Sequence, residues 1–119
     1  MSYIQLSKIS PEIQEVALPG RATIKYKLSG TKGVPVDVFY ELNNDNNIYF
    51  LSANNNLVKE LSKTFVLTGS DMKFEEPISL VKVGAVSFEE DFDYCFIYVQ
   101  VVNKINNLSD TKHCMVRFL

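Results

Sequence analysis

The feature of the sequence that most constrains the fold is an alternation of apolar and polar side chains with a period of two residues. Residues 22–30, ATIKYKLSG, set Ala, Ile, Tyr and Leu against Thr, Lys, Lys and Ser, and end on a glycine. Residues 35–42, PVDVFYEL, alternate in the same way behind a proline. Both runs are rich in β-branched and aromatic side chains, which is typical of strands that bury one face. The pattern predicts antiparallel β-structure.

Turn-forming residues separate several more short runs of this kind. SGTKGVP and NNDNN flank the second run, and glycine, proline and asparagine favour turns. Further strands are predicted at residues 3–9, 13–18, 48–53, 64–69, 78–84, 94–103 and 112–119. We therefore expect residues 1–119 to form a single all-β domain, an antiparallel β-sandwich of seven to nine strands.

One segment departs from the period of two. Residues 55–65, NNLVKELSKTF, carry apolar side chains at helical spacing, with Asn56 available as an N-cap. These apolar residues are Leu57, Val58, Leu61 and Phe65. The spacing predicts a helix of one or two turns between two strands.

Three runs, ATIKYKLSG, VPVDVFYEL and the later DYCFIYVQVVNKINN, together resemble the immunoglobulin-like superfold, most closely fibronectin type III-like domains. The resemblance implies that they are the second, third and sixth strands of such a sandwich. In that family the sixth strand runs from a tyrosine through alternating apolar residues to an asparagine at the hairpin. Asn103 follows this phase, but Cys95 stands where the tyrosine would fall. Either a β-bulge brings Tyr94 into register, or the tyrosine corner is absent. The resemblance assigns no function, because such folds host many tasks.

Charge and hydropathy argue against two kinds of partner. The 12 basic residues are scattered singly and the net charge is −2, so nucleic acid is not expected as a partner. No apolar run approaches the ~18 residues that a membrane-spanning helix needs. The first ten residues also lack the charged start and apolar middle of a signal peptide. The chain is expected either to be intracellular or to be a domain of a longer surface or extracellular protein.

Catalytic groups are scarce. His113 is the only histidine, and the neighbouring Cys114 points to the opposite face of its predicted strand. The five glycines are isolated turn residues, so no phosphate-binding loop is present. We therefore predict that the protein is not an enzyme and has neither catalytic residues nor a cofactor.

Acidic residues concentrate late in the chain, where FEEDFD at residues 88–93 precedes a predicted strand. Calcium takes six to eight oxygen ligands from converging loops, and NNDNN at residues 43–47 is a second source of oxygens. The alternatives are a calcium site and a solvated acidic loop. We favour the loop and predict no metal site, because the other acidic motifs of calcium-binding sandwiches are lacking.

The two cysteines are predicted to lie on neighbouring strands. If the hairpin turns near residues 104 and 105, Cys95 and Cys114 face each other. A cross-strand disulfide at such a position is strained, whereas two buried thiols behave as small apolar residues. Both states are open, and we favour the thiols, above all in a reducing compartment.

The strand at residues 94–103 raises the question of function, because it has large side chains at both odd and even positions. If Ile97 and Val99 face the core, Phe96 and Tyr98 point outward. We expect Phe39 and Met115 to join them on the outer face of one sheet. Exposed apolar patches of this kind mark contact surfaces. The alternative is that the short helix or an N-terminal segment folds over the patch.

These features favour a non-catalytic binding or structural module. It would be a domain of a larger surface or extracellular protein, or a subunit of an assembly. Its aromatic sheet face would contact a protein partner or a second copy of the chain. The alternative is a small carbohydrate- or ligand-binding sandwich, in which aromatic rings beside asparagine-rich loops hold the ligand and calcium assists.

Overall fold

The structure is a computed structural model that describes residues 3–43, 48–69, 71–83 and 94–119. Ten strands form within these ranges, and no helix does. The strands are β1 (Ile4–Leu6), β2 (Ile13–Val16), β3 (Gly20–Gly30), β4 (Pro35–Asn43), β5 (Ile48–Leu51), β6 (Leu57–Val58), β7 (Glu60–Val66), β8 (Met72–Lys82), β9 (Tyr94–Asn103) and β10 (Ser109–Phe118). The all-β prediction is confirmed, with ten strands where seven to nine were expected.

The strands form two sheets of five strands each. In the first sheet the order is β1-β3-β8-β5-β6, and in the second it is β2-β10-β9-β4-β7. Strand pairs are antiparallel, except that β2 runs parallel to β10. The long runs that begin at Gly20 and Tyr94 are interior strands of opposite sheets, as the sequence predicts.

Inner-facing side chains from both sheets form one hydrophobic core. Burial alternates residue by residue along β3, β4 and β9, which places every second side chain between the sheets. The residues predicted for the core are all at most 4% exposed, and they are Tyr26, Leu28, Val38, Ile97 and Val99. The phase predicted for these strands is therefore confirmed.

The helix predicted at residues 55–65 is wrong. This segment forms β6, which pairs with β5, and β7, which pairs with β4 along the edge of the second sheet. Leu61 and Phe65 are four residues apart, a spacing that puts two side chains on the same side of either a helix or a strand. Pairing with β4 satisfies the backbone of β7 and packs both side chains against the core. In the described part of the chain, no helix could therefore cross a membrane.

Aromatic rings and one ion pair join the sheets along the side where β7 approaches β8. The rings of Phe65 and Phe74 stack with centroids 4.8 Å apart, and Phe74 stacks in turn on Tyr26 at 5.1 Å. At the same edge Lys63 of β7 pairs with Glu76 of β8. The open edge of β7 thus carries a lysine, which disfavours pairing with a further strand.

The hairpin between β9 and β10 is longer than predicted. Asn103 ends β9, and its Oδ1 accepts a hydrogen bond from the Ile105 amide at 2.9 Å. Asn107 has a φ of 61°, the left-handed conformation that asparagine tolerates. The loop of residues 104–108 consequently sets the register, with Cys114 opposite Ile97 and Ser109 opposite Val102.

Candidate functional site

The outer faces of the two sheets differ in chemistry. On the first sheet, β3 and β8 expose lysines and a glutamate, and the Lys25 ammonium lies 3.8 Å from the Glu75 carboxylate. On the second sheet, the residues between the core positions of β9 and β10 are largely aromatic or apolar. Since neighbouring strand residues point to opposite sides, these residues form the outer surface of that sheet.

We call this surface the aromatic face and define it by Tyr94, Phe96, Tyr98, His113 and Met115. Strand pairing builds it, because Phe96 lies opposite Met115 and Tyr98 lies opposite His113. The Phe96 ring contacts the rings of Tyr94 at 5.6 Å and His113 at 5.7 Å, both edge to face. The rings of Tyr98 and His113 are 5.3 Å apart. Contacts of this geometry fix the rings relative to one another.

The structure brings together three of the four residues predicted for the contact surface. Phe96, Tyr98 and Met115 are half-buried neighbours on the aromatic face. Phe39 lies on the same side of the sheet, opposite Gln100 on β9 and Ser62 on β7. Within the described ranges no ring contact joins Phe39 to the cluster. Phe39 is thus a neighbour of the aromatic face and not a part of its ring cluster.

Two members of the aromatic face are not among the predicted site residues. His113 was expected to be an isolated surface residue, but it packs against Phe96 and Tyr98. Tyr94 is 39% exposed and leans on Phe96. The alternation in residues 94–98 contains the signal for Tyr94. The position of His113 depends on the hairpin register, which the residue pattern does not define.

The register of β9 also decides between the two arrangements considered for Tyr94. Pairing with β10 runs without a break from Tyr94 to Val102, so no bulge shifts Tyr94 inward. Cys95 takes the buried position next to it and is 1% exposed. Tyr94 therefore belongs to the outer surface.

The N-terminal segment borders the aromatic face without covering it. β2 pairs with β10 within the sheet, and Ile13 lies opposite Met115 while remaining 58% exposed. Between this segment and the rings of Phe96 and His113 lies a cavity of about 390 Å³. The two covers suggested for the patch, a helix and an N-terminal segment, are both lacking over these rings in the described residues.

Charged side chains surround the rings. Glu41 of β4 lies opposite Tyr98, and on its other side it lies opposite Glu60 of β7. Both carboxylates are exposed, and neither forms an ion pair with a described residue. Arg117 lies opposite Tyr94 on β9 and opposite Glu15 on β2. The β4–β7 side of the aromatic face thus carries two unmatched negative charges, which repel each other.

The two cysteines are close in the core but do not face each other. Cys95 lies opposite Val116, and Cys114 lies opposite Ile97, so the direct pairing predicted from a shorter hairpin is wrong. Both are free thiols. Burial raises the pKa of the Cys95 thiol to about 12 and that of the Cys114 thiol to about 11. Both are therefore protonated at neutral pH, and the thiolate is the reactive form.

Metal binding has no support in the described ranges, where no group of three or more histidine, cysteine or acidic residues is placed to hold an ion. The acidic stretch at residues 88–93 lies outside those ranges, and NNDNN lies outside them except for Asn43. Cys114 points into the core while His113 lies on the outer face, the opposite orientation that the sequence predicts.

No protein-family model matches the sequence, and no curated protein shows significant similarity to it.

Proposed function

We propose that the protein is a non-catalytic interaction module with an immunoglobulin-like β-sandwich, and that it docks onto a protein partner through the aromatic face. The ring cluster on the outer surface of the second sheet carries this proposal. The other sheet shows a polar surface in the same molecule, so aromatic exposure is confined to one side. Such a patch is typical of a contact surface.

The strand order supports the immunoglobulin-like part of the proposal. The third and the last two strands of that fold share one sheet, and β4, β9 and β10 do so here. The strands before β4 belong to both sheets, with β1 on the first and β2 on the second. The path from β4 to β8 is particular to this chain, because β5 and β6 join the first sheet before β7 returns to the second.

The rim of the aromatic face supports a partner of mixed chemistry. Aromatic side chains at the centre of an interface commonly contribute most of its binding energy, and here they are pre-packed on each other. Glu41 and Glu60 present unmatched carboxylates beside them. A partner with an apolar centre and a basic residue on one side would neutralise that pair. A second copy of the chain is the partner that can be tested without further assumption.

Two variants, Phe96→Ser and Tyr98→Ser, test the proposal. If the aromatic face is a contact surface, each change should weaken self-association by about 1–2 kcal/mol or more. The free energy of unfolding should fall by no more than about 1.5 kcal/mol, the value of a lost ring pair. Sedimentation at several protein concentrations measures association, and denaturant melts measure stability.

The matched control is Tyr3→Ser, because Tyr3 is an exposed aromatic residue, at 56%, beside the first sheet. It should change neither association nor stability by more than about 0.5 kcal/mol. A different result would count against the proposal: a wild type that stays monomeric, with Phe96→Ser and Tyr98→Ser both losing several kcal/mol of stability. The rings would then serve the fold alone.

A second function is favoured by the cavity beside Phe96 and His113. Its volume of about 390 Å³ lies within the range of small-ligand sites, and rings at its wall suit stacking of a sugar. A small carbohydrate- or ligand-binding sandwich is therefore the alternative proposal. Binding on a glycan array that Phe96→Ser abolishes and Tyr3→Ser retains would support it, with added calcium as a separate arm.

A further inference from the structure

The outer face of the first sheet carries a concentration of lysines around a shallow cavity of about 510 Å³. Segment 7–10 forms one side of this cavity, and β3 and β8 form the rest. Its charged lining residues are Lys8, Lys25, Lys27, Lys73 and Glu75. We call it the lysine basin. Its four ammonium groups face one carboxylate, in a chain whose net charge is −2.

Two of these lysines lie directly opposite each other. Lys27 of β3 pairs in register with Lys73 of β8, and both are exposed. Within the described part of the chain, neither ammonium group forms an ion pair. Side chains directly opposite in antiparallel strands have Cβ atoms about 5 Å apart, and like charges there are destabilising. The neighbouring pair shows the contrast, because Lys25 lies opposite Glu75 with 3.8 Å between their charged groups.

Hydrogen bonds fix the side of the basin formed by segment 7–10. The Ser7 Oγ accepts a hydrogen bond from the Lys27 amide at 2.7 Å. Ser10 and Lys25 exchange two backbone hydrogen bonds, each of 2.9 Å. The segment is thus held against β3, and it places Lys8 and the Ser10 side chain at the basin. A ligand there would meet a wall that is already ordered, which lowers the cost of binding.

We propose that the lysine basin binds a small ligand through a phosphate or sulfate group held between Lys27 and Lys73. A doubly charged oxyanion neutralises both ammonium groups and removes their mutual repulsion. The basin suits a small ligand rather than a polymer, because its positive charge is local. On one side of the Lys27–Lys73 pair, Glu75 partly neutralises the next row of the sheet.

Titration of the labelled protein with inorganic phosphate or sulfate, followed by amide NMR shifts at constant ionic strength, tests the proposal. Saturable shifts are expected at residues 7–10, 25–27 and 73–75, and chloride should not cause them. Lys27→Gln and Lys73→Gln should each weaken binding by about fivefold, as expected for one exposed charge contact. Glucose 6-phosphate and glucose 6-sulfate then show which group is preferred.

The control is Lys104→Gln, because the Lys104 ammonium lies near Asp37, 3.9 Å away, in the second sheet. It should leave the phosphate affinity unchanged. A thermal melt gives an independent reading: in chloride Lys73→Gln should raise the Tm, and in phosphate it should gain less than the wild type does. Shifts that do not saturate, or an equal loss in Lys104→Gln, would overturn the proposal. So would tighter binding of a single-stranded decanucleotide than of either sugar ester.

Discussion

The hydroxyl oxygens of Tyr26 and Tyr40 lie 2.5 Å apart in the core and join the two sheets. Tyr26 belongs to β3 of the first sheet and Tyr40 to β4 of the second, and they are 4% and 1% exposed. A buried hydroxyl that loses its partner costs about 1–3 kcal/mol. Each tyrosine therefore satisfies the polar group of the other, and their bond favours one alignment of the sheets.

A double-mutant cycle on this pair should be strongly non-additive. Tyr26→Phe and Tyr40→Phe each leave one buried hydroxyl without a partner, and each should lower the free energy of unfolding by about 1–3 kcal/mol. The double variant removes both hydroxyls and should lose less than the sum of the two single changes. Urea denaturation of the four proteins measures the coupling. Additive losses would mean that the hydroxyls do not interact.

Alkaline pH should destabilise the protein. Burial raises the pKa of Tyr26 to about 12, and it raises the pKa of Tyr40 in the same direction, with the bond to Tyr26 adding to the shift. The unfolded tyrosines lose their protons near pH 10, while the folded ones keep them. Stability is thus fully present below pH 10 and falls as pH rises toward 12, by up to about 1.4 kcal/mol per pH unit for each tyrosine.

The thiols extend this loss to lower pH. Unfolded cysteines titrate near pH 9, and the folded Cys95 and Cys114 titrate at about 12 and 11. The decline should therefore begin near pH 9 and steepen above 10. Urea denaturation at a series of pH values measures the slope. The Tyr26→Phe/Tyr40→Phe double variant is the control, because it should keep the part that begins near pH 9 and lose the steeper part.

Much of the fold follows from the alternation of side chains. Along β3, β4 and β9 every second residue is apolar, and the structure buries those residues. The pattern fails where two periods coincide. Leu61 and Phe65 fit a helix and a strand equally well, and the choice depends on the free edge of β4. Tertiary pairing of this kind leaves no mark within the segment itself.

The candidate site is predictable in part for a similar reason. Phe96 and Tyr98 follow from the phase of their own strand. His113 and Met115 come from another strand, so their neighbours depend on hairpin register. A shift of two residues in that register keeps every side chain on the same face but changes which side chains meet. The lysine basin depends likewise on the pairing of β3 with β8.

Truncation of Ile97 to alanine should test the packing of the second sheet. Ile97 is fully buried at 0% exposure on the central strand of that sheet. Its loss leaves a cavity and should cost about 2–4 kcal/mol. Ile105→Ala is the matched control, because Ile105 is 62% exposed in the hairpin and should cost less than about 0.5 kcal/mol. Denaturant melts of both variants decide the matter, and equal losses would contradict the assigned burial.

The thiols of Cys95 and Cys114 should not react with a thiol reagent in the folded protein at pH 8. Both are 1% exposed, and burial holds their pKa values at about 12 and 11, so the thiolate is scarce and shielded. Labelling should require opening of the structure, and its rate should rise with added urea. The chain denatured in guanidinium should at once react at two sites. Fast labelling of the native protein would show that β9 and β10 open readily, and an unreactive denatured chain would reveal a disulfide in place of the thiols.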